Sequence, residues 1–235
     1  MQLKCTAPSN SEPFFEALAK LKTLRKLTLF PEIINGNPPA AAPAGLPKLS
    51  ALTELTELKL RVPVNDASMT AIASIKTLTV VDLRTRGVTA AGIKSLAGLP
   101  KLASFGLSGD ELPEPAVVEM KGLSTLKALR LSVGPLTEEG TKAIGTLSDL
   151  EEFHLMLRKG ADKAAPDIAK LTKLRELDLS LSDLSDTGLK ALVPLKELTE
   201  LRIGFTKTTP AGQAAFQKAL PKVKIITSAS TGSDN

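Results

Sequence analysis

Apolar residues recur along this chain at intervals of three and then two, and a run spaced by threes follows. In "LTKLRELDLSLSDLSDTGLKALVPL", Leu174, Leu177 and Leu179 give the first spacing, and Leu189, Leu192 and Leu195 give the second. Residues two apart share one face of a strand; residues three apart share one face of a helix. Between them, "SLSDLSDTG" carries turn and capping chemistry. Ser185 suits a helix N-cap, Asp186 suits the positive helix start, and Gly188 allows close backbone approach. The spacing predicts a strand, a turn and a short helix. One such unit cannot bury its apolar face alone, so it needs neighbours of its own kind.

The same switch recurs at leading residues Leu24, Leu55, Leu78, Leu102, Leu126, Leu150, Leu174 and Leu198, with gaps of 31, 23 and then 24 throughout. The predicted inward strand pairs are Leu27/Leu29, Leu58/Leu60, Val81/Leu83, Phe105/Leu107, Leu129/Leu131, Phe153/Leu155, Leu177/Leu179 and Leu201/Ile203. A helix column keeps step: Leu49, Ile72, Leu96, Met120, Ile144, Ile168, Leu192 and Phe216. Leu3 and Cys5 lie one period before Leu27 and Leu29, so a partial repeat is predicted to open the chain as a cap. Ser11 is its expected N-cap, with Pro13 in the first helical turn. Cys5 is read as buried in the capping strand rather than as a reactive thiol.

The L-x-x-L-x-L pattern with its fixed return resembles the leucine-rich repeat family. Helix starts "VTAAGIKSL", "LTEEGTKAI" and "LSDTGLKAL" are similar to those of bacterial arrays of about 24 residues and of the ribonuclease-inhibitor-like, F-box-associated class. The ending "FQKALPKVKI" is similar to the closing cap of such arrays. The resemblance implies an α/β leucine-rich-repeat solenoid, with a curved parallel sheet inside, short helices outside, and about eight full repeats plus terminal caps. It covers 1–226 as one domain: a cap at 1–23, repeats over 24–220, a cap strand at 221–226, then a disordered tail at 227–235. The family often places Asn eight residues after the leading leucine. Here that column reads Glu32, Pro63, Arg86, Asp110, Gly134, Arg158, Ser182 and Thr206, so other groups must satisfy those turns.

Composition fits a soluble globular chain, at 43% hydrophobic and 23% charged. No apolar run is long enough to span a bilayer, and the N-terminus lacks a signal-peptide core. A cytoplasmic monomer is the expectation, with a secreted or periplasmic location if a leader was removed. The Pro-rich excursion within "FPEIINGNPPAAAPAG" is read as an inert surface loop, with a binding element as the alternative.

Function is sought on the exposed sheet face, because fold alone does not give it. The outward column reads Thr28, Lys59, Asp82, Gly106, Arg130, His154, Asp178 and Arg202. The column after it reads Phe30, Arg61, Arg84, Ser108, Ser132, Met156, Ser180 and Gly204. From these, Lys59, Arg61, Asp82, Arg84, Arg130, His154, Met156, Asp178 and Arg202 are the candidate partner-binding residues. The bland alternative is a solvated face whose charges pair across strands. Few aromatic anchors stand on it; Phe30 and Phe205 lie near its ends.

Catalysis is not expected. His154 is the only histidine, and Asp178, Ser132 and Ser180 lie near it on paper. A regular sheet, however, offers no bent nucleophile and no oxyanion hole. No metal spacing, phosphate loop or dinucleotide fingerprint is present, so neither metal nor cofactor is expected. The expected function is a non-catalytic protein-binding scaffold or adaptor that uses the concave sheet face and regulates a partner enzyme; the expected partner is another protein with an acidic segment. The alternative is nucleic-acid or acidic-ligand binding through the basic middle of the sheet. A net charge of +5 invites it; scattered lysines and three glutamates beside the face argue against nucleic acid.

Overall fold

The computed structural model describes residues 1–8, 12–33 and 41–227. Ser11 and residues 228–235 of the expected tail lie outside the described residues, as does 34–40 of the Pro-rich excursion. The chain forms two compact units, Met1–Leu126 and Lys127–Asn235.

In the first unit the order is β1 (Gln2–Ala7), α1 (Glu12–Ala19), β2 (Lys26–Pro31), a 3-10 turn Leu46–Ala51, β3 (Glu57–Val64), α2 (Asp66–Ala73), β4 (Val80–Thr85), α3 (Ala90–Leu96), β5 (Ser104–Gly109), α4 (Glu114–Glu119) and a 3-10 turn Met120–Gly122. Its strands pair in parallel in sequence order, β1 to β5. The second unit runs β6 (Ala128–Val133), α5 (Glu138–Gly145), β7 (Glu152–Leu157), α6 (Ala161–Ile168), β8 (Glu176–Asp178), α7 (Asp186–Ala191), β9 (Glu200–Arg202), α8 (Pro210–Ala219) and β10 (Lys224–Ile226). These strands also pair in parallel in order, β6 to β10. This is the repeating strand-and-helix order that the spacing predicts.

The core follows the two periods. Every predicted inward strand residue from Leu27 to Ile203 is buried, and so is the helix column from Leu49 to Phe216. Parallel strands need crossovers, and among the described residues short helices and 3-10 turns lie in them. Such helices are too short to hold by propensity; packing of the apolar stripe holds them.

Caps link one repeat to the next. Asp66 at the start of α2 accepts from the backbone N–H of Thr89 at 2.8 Å and its hydroxyl at 2.6 Å. Thr89 is the N-cap of α3 and accepts in turn from Ala91 N. Asp162 grips the N-cap Ser185 in the same way, and Asp186 grips Thr209. A hydroxyl can donate once and accept as well, so each N-cap serves both its own helix and the preceding one. This explains Gly92, Gly188 and Gly212: a Cβ at any of them would overlap Oδ1 of Asp66, Asp162 or Asp186.

In the last two repeats, hydroxyls and a carboxylate stand in at the turns that lack asparagine. Ser182 donates to Leu179 O at 2.6 Å and Thr206 to Ile203 O at 2.9 Å. Asp183 accepts from Gly160 N and Ala161 N at 3.0 and 2.9 Å. Burial pushes the Asp183 carboxyl up, but those two amides outweigh it and hold it below the usual aspartate range.

Two expectations are corrected. Cys5 is half-buried, not buried, because β1 is a terminal strand with a neighbour on one side only; what burial it has raises its thiol pKa. Arg61 does not share a register position with Arg84: the pairing shifts between Leu60 and Pro63, and Pro63 stands opposite Arg84. Proline cannot donate to a ladder and collects at bulges, and the β3–β4 register skips Arg61 and Val62.

Candidate functional site

On the first unit's exposed face most charges already have partners. Lys26 and Lys59 both reach Glu57, at 2.8 and 3.2 Å. Burial raises the Glu57 carboxyl, and the two lysines outweigh that and lower it. Arg61 forks onto Asp82, Nη1 to Oδ1 and Nη2 to Oδ2, each at 3.2 Å. Arg84 is exposed and makes no side-chain hydrogen bond or ion pair among the described residues. It borders a cleft of about 380 Å³ together with Arg61 and Arg86.

In the second unit the outward column stands in register as anticipated: Arg130 opposite His154, His154 opposite Asp178, Asp178 opposite Arg202. His154 Nδ1 lies 3.5 Å from Asp178 Oδ2, and Asp178 Oδ1 accepts from Ser180 N at 2.9 Å. Burial raises the Asp178 carboxyl; the His154 and Ser180 hydrogen bonds outweigh it and set it below the ordinary range. Arg202 pairs with Glu200 on its own strand. The Ser180 hydroxyl accepts from Gly204 N and donates toward Asp178. No serine hydroxyl is engaged with the imidazole among the described residues, so the paper triad does not assemble. Arg130 is exposed and makes no side-chain hydrogen bond or ion pair there. Within the described residues, no cluster of His, Cys, Asp and Glu is arranged to hold a metal ion. None of the described helices is long and apolar enough to cross a membrane.

The feature that sequence reasoning missed lies seven residues past each leading leucine. That column is Thr85, Gly109, Val133, Leu157, Leu181 and Phe205 over the last six repeats. Thr85, Val133 and Leu157 point inward and are buried. Leu181 and Phe205 point outward, 50% and 69% exposed. The cause is strand length. β6 and β7 run six residues, whereas β8 and β9 stop after three. The chain then turns at φ 61° for Leu181 and 55° for Phe205, the positive-φ non-glycine residues of the described chain. Gly109 takes the equivalent position in the first unit with φ 108°. Met156, 40% exposed on β7, adds a third apolar side chain to the second unit's surface. Gly109 at offset seven was the available clue, since glycine is the usual occupant of left-handed backbone.

Comparison with known proteins bears on the fold. Residues 170–193 match the "Leucine Rich repeat" family model. No curated protein matches the sequence. Among solved structures, an internalin (inlF) from Listeria monocytogenes aligns with TM-score 0.61 at 16% identity, over 92% of this chain and 64% of that one. An internalin C2 from the same organism gives 0.57 at 17%, over 92% and 84%. A protein from Bacteroides fragilis gives 0.66 at 16%, over 88% and 66%. This chain therefore spans about two thirds of the inlF and Bacteroides chains. Its fold is the leucine-rich-repeat fold of these structures. The likenesses do not reach the narrower ribonuclease-inhibitor-like subclass.

Proposed function

We propose that this chain is a non-catalytic protein-binding module, acting as a scaffold or adaptor that regulates its partner. The observation that carries the reading is the pair Leu181 and Phe205, large apolar residues exposed in left-handed backbone in consecutive repeats. Non-glycine residues there cost about 1–2 kcal/mol each, and an exposed phenylalanine gains nothing in return from folding. Bound partner surface supplies that return, because buried aromatic and aliphatic anchors dominate interface energies. Of the residues first nominated, Arg84, Arg130 and Met156 remain available to a partner. Lys59, Arg61, Asp82, His154, Asp178 and Arg202 already hold one another or their neighbours, and they fit a supporting role around the anchors. The paired charges also argue against nucleic acid, which needs uncommitted cations.

The test uses a partner captured from native lysate and then titrated as a purified protein. The double variant Leu181→Gly with Phe205→Gly should fold at least as stably as the parent and bind about tenfold or more weakly. Unchanged affinity in a folded double variant would remove the second unit's apolar edge from the site.

A further inference from the structure

The first unit holds a second feature that the apolar edge does not use. A cleft of about 380 Å³ opens at the carboxyl ends of β3, β4 and β5, and three arginines border it: Arg61, Arg84 and Arg86. Two local devices shape it. The bulge after Leu60 takes Arg61 out of line with Arg84 and places Pro63 there instead. Gly109, at φ 108°, brings its backbone against the neighbouring strand: a Cβ there would sit 2.7 Å from Thr85 O and 3.3 Å from Arg84 Cγ. Any larger residue would crowd Arg84 and close the cleft.

The charge in this cleft is uneven. Arg61 is neutralised by its fork onto Asp82. Arg84 and Arg86 are exposed, and neither side chain makes a hydrogen bond or ion pair among the described residues. Asp110 is the one carboxylate in the lining. The Thr85 hydroxyl is already spent on the Ser108 and Asp110 carbonyls, both at 3.2 Å, which fixes the floor of the cleft. Arg84 on β4 and Arg86, in the bend just after it, both line the cleft.

We propose that this cleft recognises a phosphate monoester, carried on a phosphorylated side chain of a protein partner. Two guanidinium forks in one cleft call for an anion with more than two acceptor oxygens. A carboxylate satisfies one fork; a phosphate monoester presents three terminal oxygens and satisfies both. The volume suits one phosphate group with the residue that bears it, at the small end of ligand sites. A single short cleft without an aromatic platform does not track a nucleic-acid strand. The choice of a protein as carrier rests on the protein-binding reading above; the phosphate chemistry does not.

The experiment is a titration of the whole chain with four probes, followed by amide and arginine Nε–Hε resonances. The probes are a short phosphoserine peptide, the same peptide with serine, the same peptide with glutamate, and inorganic phosphate. The phosphopeptide should shift Gly109, Arg84 and Arg86 saturably, with the serine peptide silent and both the glutamate peptide and inorganic phosphate clearly weaker. Arg84→Ala and Arg86→Ala should each weaken the phosphopeptide about tenfold or more. Arg84→Lys, which keeps the charge but loses the fork, should lose most of that too. Lys94→Ala, on the exposed side of α3, should leave binding unchanged. No saturable shift with any phosphate probe at millimolar concentration overturns the site. Equal binding of the glutamate peptide overturns phosphate in favour of carboxylate. Equal binding of inorganic phosphate overturns the peptide as carrier. Full retention by Arg84→Lys, or equal loss in Lys94→Ala, reduces the cleft to bulk charge and also overturns it. None of these results bears on Leu181 and Phe205 in the other unit, so the two readings fail separately.

Discussion

Seven residues past the leading leucine, the first unit ends β5 on the positive-φ Gly109, and the second unit places Leu181 and Phe205 in positive-φ turns. Glycine meets that backbone requirement without a Cβ penalty. Leucine and phenylalanine meet it at a cost and leave apolar surface in water. The turn geometry therefore does not explain the second unit's residues, since the chain itself contains the cheaper solution. The difference separates two chemistries on one architecture. The first unit keeps its turn small and surrounds it with arginines, while the second unit fills its turns with apolar knobs. A repeat fold permits this because each repeat has to match its neighbours only in the inward columns.

The comparison requires a common core, and its largest predicted effect lies there. Leu58→Ala in the first unit and Leu129→Ala in the second should each cost about 2–5 kcal/mol in chemical denaturation, from lost burial and a residual cavity. Both side chains are essentially inaccessible. Arg130→Ala, one residue further on and pointing outward, should cost well under about 1 kcal/mol. A loss at Arg130 equal to that at Leu129 would make the second unit's exposed face structural and dissolve the contrast.

An intermediate effect tests the turn column directly. Gly109→Leu should cost about 1–3 kcal/mol, because φ 108° is strained for any side chain and the new Cβ meets backbone at Thr85. Leu181→Gly should move stability by no more than about 1 kcal/mol, toward the stable side, since relief of left-handed strain exceeds the entropy that glycine adds to the unfolded chain. Thermal and denaturant midpoints of the two variants suffice. If Leu181→Gly destabilises as much as Gly109→Leu, then Leu181 is packing inside the second unit and not displayed for a partner.

The architecture was legible because it depends on inward residues alone. The change from a spacing of two to a spacing of three named the strands and helices, and every predicted inward residue of the full repeats is buried. The linking caps were half legible. Ser185, Asp186 and Gly188 could each be assigned a local role, but a single helix does not reveal that Asp162 reaches the N-cap of the next repeat or why Gly188 must lack a Cβ. The site was less legible, for two physical reasons. Strand termination is set by hydrogen bonding between repeats, so a leucine at offset seven reads the same whether it turns inward as Leu157 or outward as Leu181. Register was read from period alone, and the bulge at Arg61 breaks the period without changing any leucine. Charge pairing was anticipated only in kind; that Arg61 forks onto Asp82 while Arg84 keeps no partner follows from the bulge.

The smallest predicted effect compares how the two faces hold a carboxylate. In both Glu57 and Asp178 burial raises the carboxyl, and in both hydrogen bonds outweigh it, so the folded value is lowered. A lowered folded value contributes stability above the unfolded value and loses it as pH falls through the folded one. For Asp178 the ordinary value is 3.8, so the advantage of the parent over Asp178→Asn should be complete above that pH and shrink as pH drops below it. Glu57→Gln should show the same sign with acid. Salt should separate them. Glu57 is held by Lys26 and Lys59, whose side chains are 53% and 39% exposed. Screening weakens exposed ion pairs, so added salt at neutral pH should erode the Glu57→Gln difference. Asp178 is held partly by the Ser180 amide at 2.9 Å, and its side chain and that of His154 are 15% and 22% exposed. A short hydrogen bond out of water is screened far less, so the Asp178→Asn difference should persist in salt. Denaturant midpoints for both variants, at two pH values and two salt concentrations, decide it. Loss of both differences in salt would mean that the two faces hold their carboxylates alike, by exposed charge, and the contrast between the units would then lie in their turns alone.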